Sequence, residues 1–229
     1  MTAATLLAQF NQKPPYQAHE LDQLNREDVN PFDRPATYNW SPEAAQASDY
    51  VRTGVLILPV IFLANHHTRE DFGALLIMGA EVLTINLGFT YTVKNIANRY
   101  RPFVYNENAP VDERTGPGTM LSYYSGHASH TAALSFFFAK VMNDYHPEMA
   151  TGAKIGIWAF AAAIPAVTGY LRFEAGKHYP TDIMTGYAIG ALTGWLVPHL
   201  HKKELKVKNL SMTPLFYQGA SGLNLLYRF

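Results

Sequence analysis

Five mostly apolar segments of helix length, each ended by a knot of polar, basic or imidazole side chains, constrain this chain more than any other feature. They run over Ser48 to Asn65, Asp71 to Tyr100, Gly126 to Asp144, Ala153 to Leu171 and Thr181 to His199. Segments of that length set off by turn residues predict an all-α fold, a helical bundle of about five core helices. The uninterrupted apolar runs inside them are short. GALLIMGA stops at Glu81 and AALSFFFA at Lys140, and only IGIWAFAAAIPAVTGYL is long. A bilayer span needs about 20 predominantly apolar residues, so length alone leaves a membrane protein and a large soluble core both open.

Composition narrows the choice. Only 16% of the residues are charged while 48% are hydrophobic, against roughly 25% charged in ordinary soluble domains. That balance excludes a disordered chain and points to a membrane or a very large core. Eighteen basic residues offset eighteen acidic ones to a net charge of zero, which excludes nucleic acid as a main partner. With no cysteine there is no disulfide framework, thiol catalysis or Cys-ligated metal site.

Three regions follow from this patterning. Residues 1–47 form a polar, proline-punctuated N-terminal arm, in which Asp33-Arg34-Pro35 reads as a turn fixing the arm to the core. Residues 48–200 form the helical bundle, and residues 201–229 a basic segment with a C-terminal extended tail, whose alternating pattern around Gly219 and Gly222 suggests a strand pair or a docking tail. The opening has no Lys or Arg before Lys13, so it lacks the charged start of a secretory signal. Whether an export signal was removed is left open. Alternating the five segments across a bilayer puts Lys202, Lys203, Lys206 and Lys208 on the cytoplasmic side by the positive-inside tendency.

The chemistry concentrates in three clusters at segment ends. Lys94 and Arg101-Pro102 close the second segment; seven residues are nearly two helical turns, so both cations are expected on one helix face. Ser122-Tyr-Tyr-Ser125-Gly126-His127 opens the third. A hydroxyl and free backbone N–H groups at a helix start can receive a phosphate, with His127 placed to protonate what leaves it. Arg172 and His178-Tyr-Pro-Thr-Asp182 bridge the fourth and fifth. Four residues separate His178 from Asp182, so the carboxylate can reach an imidazole nitrogen, hold its tautomer and leave the ring free to act as a nucleophile.

Taken together, Lys-x6-Arg-Pro, Ser-Gly-His and Arg-x5-His-x3-Asp resemble the type 2 phosphatidic acid phosphatase family, which includes vanadium haloperoxidases and bacterial nonspecific acid phosphatases. The resemblance covers Ser48 to Pro198, with Tyr124 where the family usually has Pro and Leu171 where it usually has Ser. It implies a metal-independent phosphatase hydrolysing a phosphomonoester or pyrophosphate, in which His178 attacks phosphorus to give a phosphohistidine, Asp182 orients it and His127 is the general acid. Lys94, Arg101, Arg172, Ser125 and Gly126 then hold the phosphoryl oxygens. No cofactor is implied. The expected substrate is a phosphorylated lipid or a small phosphomonoester, and the expected site faces out of the cytoplasm in the cell envelope.

Competing readings are a soluble periplasmic acid phosphatase, a vanadate-dependent haloperoxidase and a catalytically silent membrane protein. Arg101 and Arg172 taken singly read as helix-end cations, and His130 near His127 lacks a carboxylate to complete a metal site. Arg99 is expected to point elsewhere than Arg101. His66, His67, His199 and His201 read as solvated helix ends, Glu81 and Asn86 as polar groups within the bundle, and Tyr100, Tyr105 and the loop from Asn106 to Met120 as the pocket rim.

Overall fold

The computed structural model of the chain describes residues 16–202, 210–217 and 220–227. Five long helices carry it. Helix α1 (Pro42–Gly54) starts where Ser41 Oγ accepts from Ala44 N at 3.0 Å and Pro42 occupies its first turn. It continues as a 3-10 stretch, Val55–Ala64, that contains Pro59. A short helix (His66–Glu70) leads into α2 (Phe72–Ala97); α3 (Gly126–Tyr145), α4 (Thr151–Glu174) and α5 (Pro180–Lys202) follow. Among the described residues the arm contains three 3-10 turns, over Ala18–Gln23, Arg26–Asp28 and Arg34–Tyr38, before α1 begins. Strands β1 (Leu210–Tyr217) and β2 (Ala220–Tyr227) pair antiparallel, as the alternating tail suggested, with Leu210 opposite Tyr227. Lys203, Lys206 and Lys208 lie outside the described residues.

Helices α3 and α5 are the most closely packed pair, and the sequence says why. Gly186, Gly190 and Gly194 recur every four residues on one face of α5. A Cβ at these positions would fall 2.4, 2.1 and 2.1 Å from the carbonyl oxygens of Ser125, Ser129 and Ala133. Only hydrogen fits, so the two backbones touch along three turns, the small-residue packing that membrane helices favour. This contact sets the start of α3 against the start of α5. At the other end of the bundle Val55, Phe62, Leu75, Val82, Phe137, Val141 and Val197 form the main apolar core.

Three helical stretches, Pro42–Ala64, Phe72–Ala97 and Thr151–Glu174, are long and apolar enough to cross a membrane. Their apolar side chains largely face outward. Ile57 is 65% exposed, Ile77 74% and Ile155 64%. A helix of a water-soluble bundle turns its apolar stripe inward; these turn it to the exterior, where hydrocarbon and not water is the suitable solvent. The chain is therefore membrane-associated, and the short apolar runs that left the choice open are offset by how little of each helix the bundle covers.

Candidate active site

The ends of α2 and α4 and the starts of α1, α3 and α5 meet on one side of the bundle, and the three sequence clusters meet there. Lys94 is buried on the last turn of α2 and donates to the carbonyl oxygens of Leu121 at 2.5 Å and Ser122 at 3.4 Å. Arg101 is not on the same helix face, contrary to the spacing argument. The helix ends at Ala97, Asn98 takes a left-handed conformation (φ 42°, ψ 49°), and Arg101 lies in extended backbone before Pro102. Arg101 is turned back to the site by other means. Its N–H donates to Thr119 O at 2.7 Å, and its guanidinium donates to Gly118 O at 2.8 Å and Lys177 O at 3.1 Å. It then stands 3.5 Å from His178 Nε2.

Ser125 caps α3, its Oγ accepting from Ala128 N at 3.4 Å while its own N–H donates to Asp182 O at 3.0 Å. A Cβ on Gly126 would lie 3.8 Å from Lys94 Cε, so the second cluster abuts the first. On α4, Arg172 is buried and donates to Ser48 Oγ of α1 at 3.2 Å, while its Nε has no partner. Lys94, Arg101 and Arg172 meet no carboxylate within ion-pair reach among the described residues. Buried cations without counter-charges are costly unless an anion completes the site. Arg101, Arg172 and Lys177 line a cavity of about 360 Å³ with Glu113, Gly118 and Thr119.

His178 sits in the turn before α5, 1% exposed. Its Nδ1 is 3.6 Å from Asp182 Oδ2, just beyond hydrogen-bond distance, because that oxygen already accepts from Ser122 Oγ at 2.5 Å and Tyr179 N at 3.0 Å. Burial, together with the nearby Arg101, Lys94, Arg172 and His127, holds the imidazole well below the usual histidine range, so the ring is kept neutral. Burial likewise lowers the Arg101 guanidinium to about 10, partly opposed by Asp182. Lys94, Arg101, Arg172 and His127 thus all act on His178, Ser125 and Asp182 are joined through Ser125 N–H, and Gly126 abuts Lys94. Among the described residues no group of three or more His, Asp or Glu is arranged to hold a metal ion.

Several members were not expected. His127 Nε2 meets Asp49 Oδ1 at 2.6 Å, from the second turn of α1. Arg99 is indeed turned away from Arg101, but it bridges Asp182 Oδ1 at 2.6 Å and Asp33 Oδ2 at 2.7 Å. Asp33 is thus no mere turn residue; it also accepts from Thr181 N at 3.0 Å and Thr181 Oγ1 at 2.6 Å. The rim is divided too. The loop after Asn106 supplies Glu113, Gly116, Gly118 and Thr119 to the cavity beside Arg101, whereas Tyr100 and Tyr105 line a separate cavity with Asn30 and Tyr179. Glu81 pairs with His201 at 2.8 Å, and Asn86 accepts from Ser129 Oγ at 2.6 Å, both structural roles.

Comparison with known proteins agrees with this geometry. Residues 72–206 match the PAP2 superfamily. Phosphatidylglycerophosphatase B of Bacillus subtilis is 21% identical over 170 residues, 72% of this chain and 77% of that protein. A crystal structure described as a transmembrane PAP2-type phosphatidylglycerolphosphate phosphatase from Bacillus subtilis shares the fold at a TM-score of 0.55 and 18% identity, covering 89% of this chain and 94% of that one. With the family matched over residues 72–206, more than half of its length, this chain belongs to the PAP2 superfamily.

Proposed function

We propose that this chain is a metal-independent phosphatase that removes a phosphate from a membrane lipid through a phosphohistidine on His178. The observation that carries the proposal is the convergence of Lys94, Arg101 and Arg172, none of them ion-paired with a carboxylate among the described residues, on a buried imidazole held neutral. His178 Nδ1 faces Asp182, so Nε2, beside Arg101, is the attacking atom. It bonds to phosphorus as the bond to the lipid oxygen breaks, and His127 gives that oxygen its proton. Burial and the nearby Arg172 lower the His127 imidazole to about 3, and the Asp49 carboxylate at 2.6 Å opposes that shift, favouring the protonated form that a general acid must start from. Water then attacks phosphorus, the P–N bond breaks, and His127 regains a proton from that water. Lys94, Arg101, Arg172, Ser125 and the Gly126 N–H stabilise the charge on the equatorial oxygens.

A lipid substrate is supported by the apolar exterior of three helices and by the phosphatidylglycerophosphatase relative, so a phosphatidylglycerophosphate-type monoester is the substrate of choice. The same exterior counts against a soluble acid phosphatase. The site and the described part of the arm share one side of the bundle, opposite the end at which α5 reaches Lys202, next to the most lysine-rich stretch of the sequence, which favours a site facing out of the cytoplasm. Phosphate release from phosphatidylglycerophosphate and from water-soluble monoesters by the purified protein in detergent tests the reading. Lipid is expected to be the better substrate, vanadate to inhibit and EDTA to have no effect; loss of activity on chelation would overturn the metal-independent mechanism.

A further inference from the structure

Arg99 belongs to none of the three clusters as the resemblance defines them, yet it makes the closest charged contacts in the site. The cations fall into two layers. Lys94, Arg101 and Arg172 bear on His178 and form no ion pair with a carboxylate among the described residues. Arg99 lies behind them, its guanidinium donating to Asp182 Oδ1 at 2.6 Å, to Asp33 Oδ2 at 2.7 Å and to Thr181 Oγ1 at 2.8 Å, and stacking 4.0 Å from the Tyr179 ring centroid. Both carboxylates are fully buried.

We infer that Arg99 and Asp33 are positioning residues for catalysis: the arm delivers Asp33 to fix Arg99, and Arg99 fixes the Asp182 carboxylate that faces His178. This rests on the phosphatase reading above. Two consequences follow from the geometry. With Oδ1 held by Arg99 and Oδ2 by Ser122 and Tyr179 N, Asp182 has one orientation, and Oδ2 is kept toward His178 Nδ1. Charge is the second. Asp33, Arg99 and Asp182 together carry one net negative charge, which faces the imidazolium that forms as His178 attacks. Without Asp33, Arg99 would neutralise Asp182 and that counter-charge would vanish. Without Arg99, two buried carboxylates would share one site with no cation between them.

The test compares Asp33→Asn, Arg99→Met and the double variant in phosphate release from a phospholipid monoester, with thermal unfolding in detergent recorded for each. Each single variant should lower kcat about 10- to 100-fold with KM little changed, because it disturbs a partner of the nucleophile and not the phosphate-binding cations. The double variant regains the net charge of the original trio, so its loss should be smaller than the product of the two single losses. A product of losses that tracks the drop in unfolding temperature would mean a purely structural role and overturn the inference. Should Arg99→Met fail to fold, Arg99→Lys decides: it keeps the charge but cannot bridge both carboxylates, and a kcat equal to that of the unaltered protein would overturn the inference. An unaltered protein that releases no phosphate would remove the phosphatase reading and this inference with it; an active one beside fully active variants would remove this inference alone.

Discussion

His178 shows how much of the site a single residue's surroundings decide. The sequence spacing places Asp182 within reach of its imidazole, but not the burial that keeps the ring neutral or the three cations pressed on it. That neutrality has a measurable sign. The folded-state pKa is depressed below the ordinary value of about 6.5. Below that pH the unfolded chain takes up a proton that the folded one resists. The stabilising contribution is therefore fully present above pH 6.5 and is lost as the pH falls through the lowered folded value. The unfolding temperature of the unaltered protein should thus drop more between pH 7.5 and 5 than that of His178→Asn; parallel curves would contradict the neutral, compressed imidazole. Asp49 and Asp33 were illegible for a different reason. Each lies far along the chain from its partner, 78 residues from His127 and 66 from Arg99, and no local spacing links a carboxylate in an arm or first helix to a cluster formed by later ones.

At the scale of elements, α2 to α5 are written in the apolar segments to within a few residues, since segment ends carry their own stops, such as Ser125 before α3 and Pro180 at the start of α5. The first segment differs: α1 starts at Pro42, six residues before Ser48, because Ser41 caps it among polar residues, and gives way to a 3-10 stretch after Gly54. The end of α2 departs as well. Its helical spacing continues to Tyr100, but the left-handed turn at Asn98 and the parallel bridge from Arg99 to Leu121 end it earlier, and neither depends on periodicity. The glycine stripe of α5 is the element that holds the site together, because it lets Ser125 N reach Asp182 O. Adding one methyl group at Gly190, 2.1 Å from Ser129 O, must push α3 and α5 apart. Gly190→Ala is expected to cost about 1–3 kcal/mol and to reduce phosphate release as well, whereas Gly156→Ala on α4, where a Cβ meets nothing within 4 Å, should change neither. Equal stability for the two variants would contradict the close packing of α3 on α5.

For the whole molecule, the bundle separates two tasks along its length. One end packs an apolar core of aromatic and branched side chains; the other exchanges apolar packing for buried charge, where polar side chains compensate or leave room for an anion. The outer surface joins these ends with exposed apolar side chains. Such a molecule can bring a lipid phosphate to a cationic pocket at the edge of a membrane, and the arm is tied to the back of the site through Asp33, which bonds Arg99 and Thr181. The central claim is that His178 becomes covalently bound to phosphorus. The most direct measurement is to mix the protein with phospholipid carrying a labelled terminal phosphate, stop the reaction in alkaline denaturant and locate the label. Label on His178 that survives base and is released by acid, absent in His178→Ala, is the predicted result. Steady phosphate release with no label on His178 at any time, or with full rate in His178→Ala, would contradict the account.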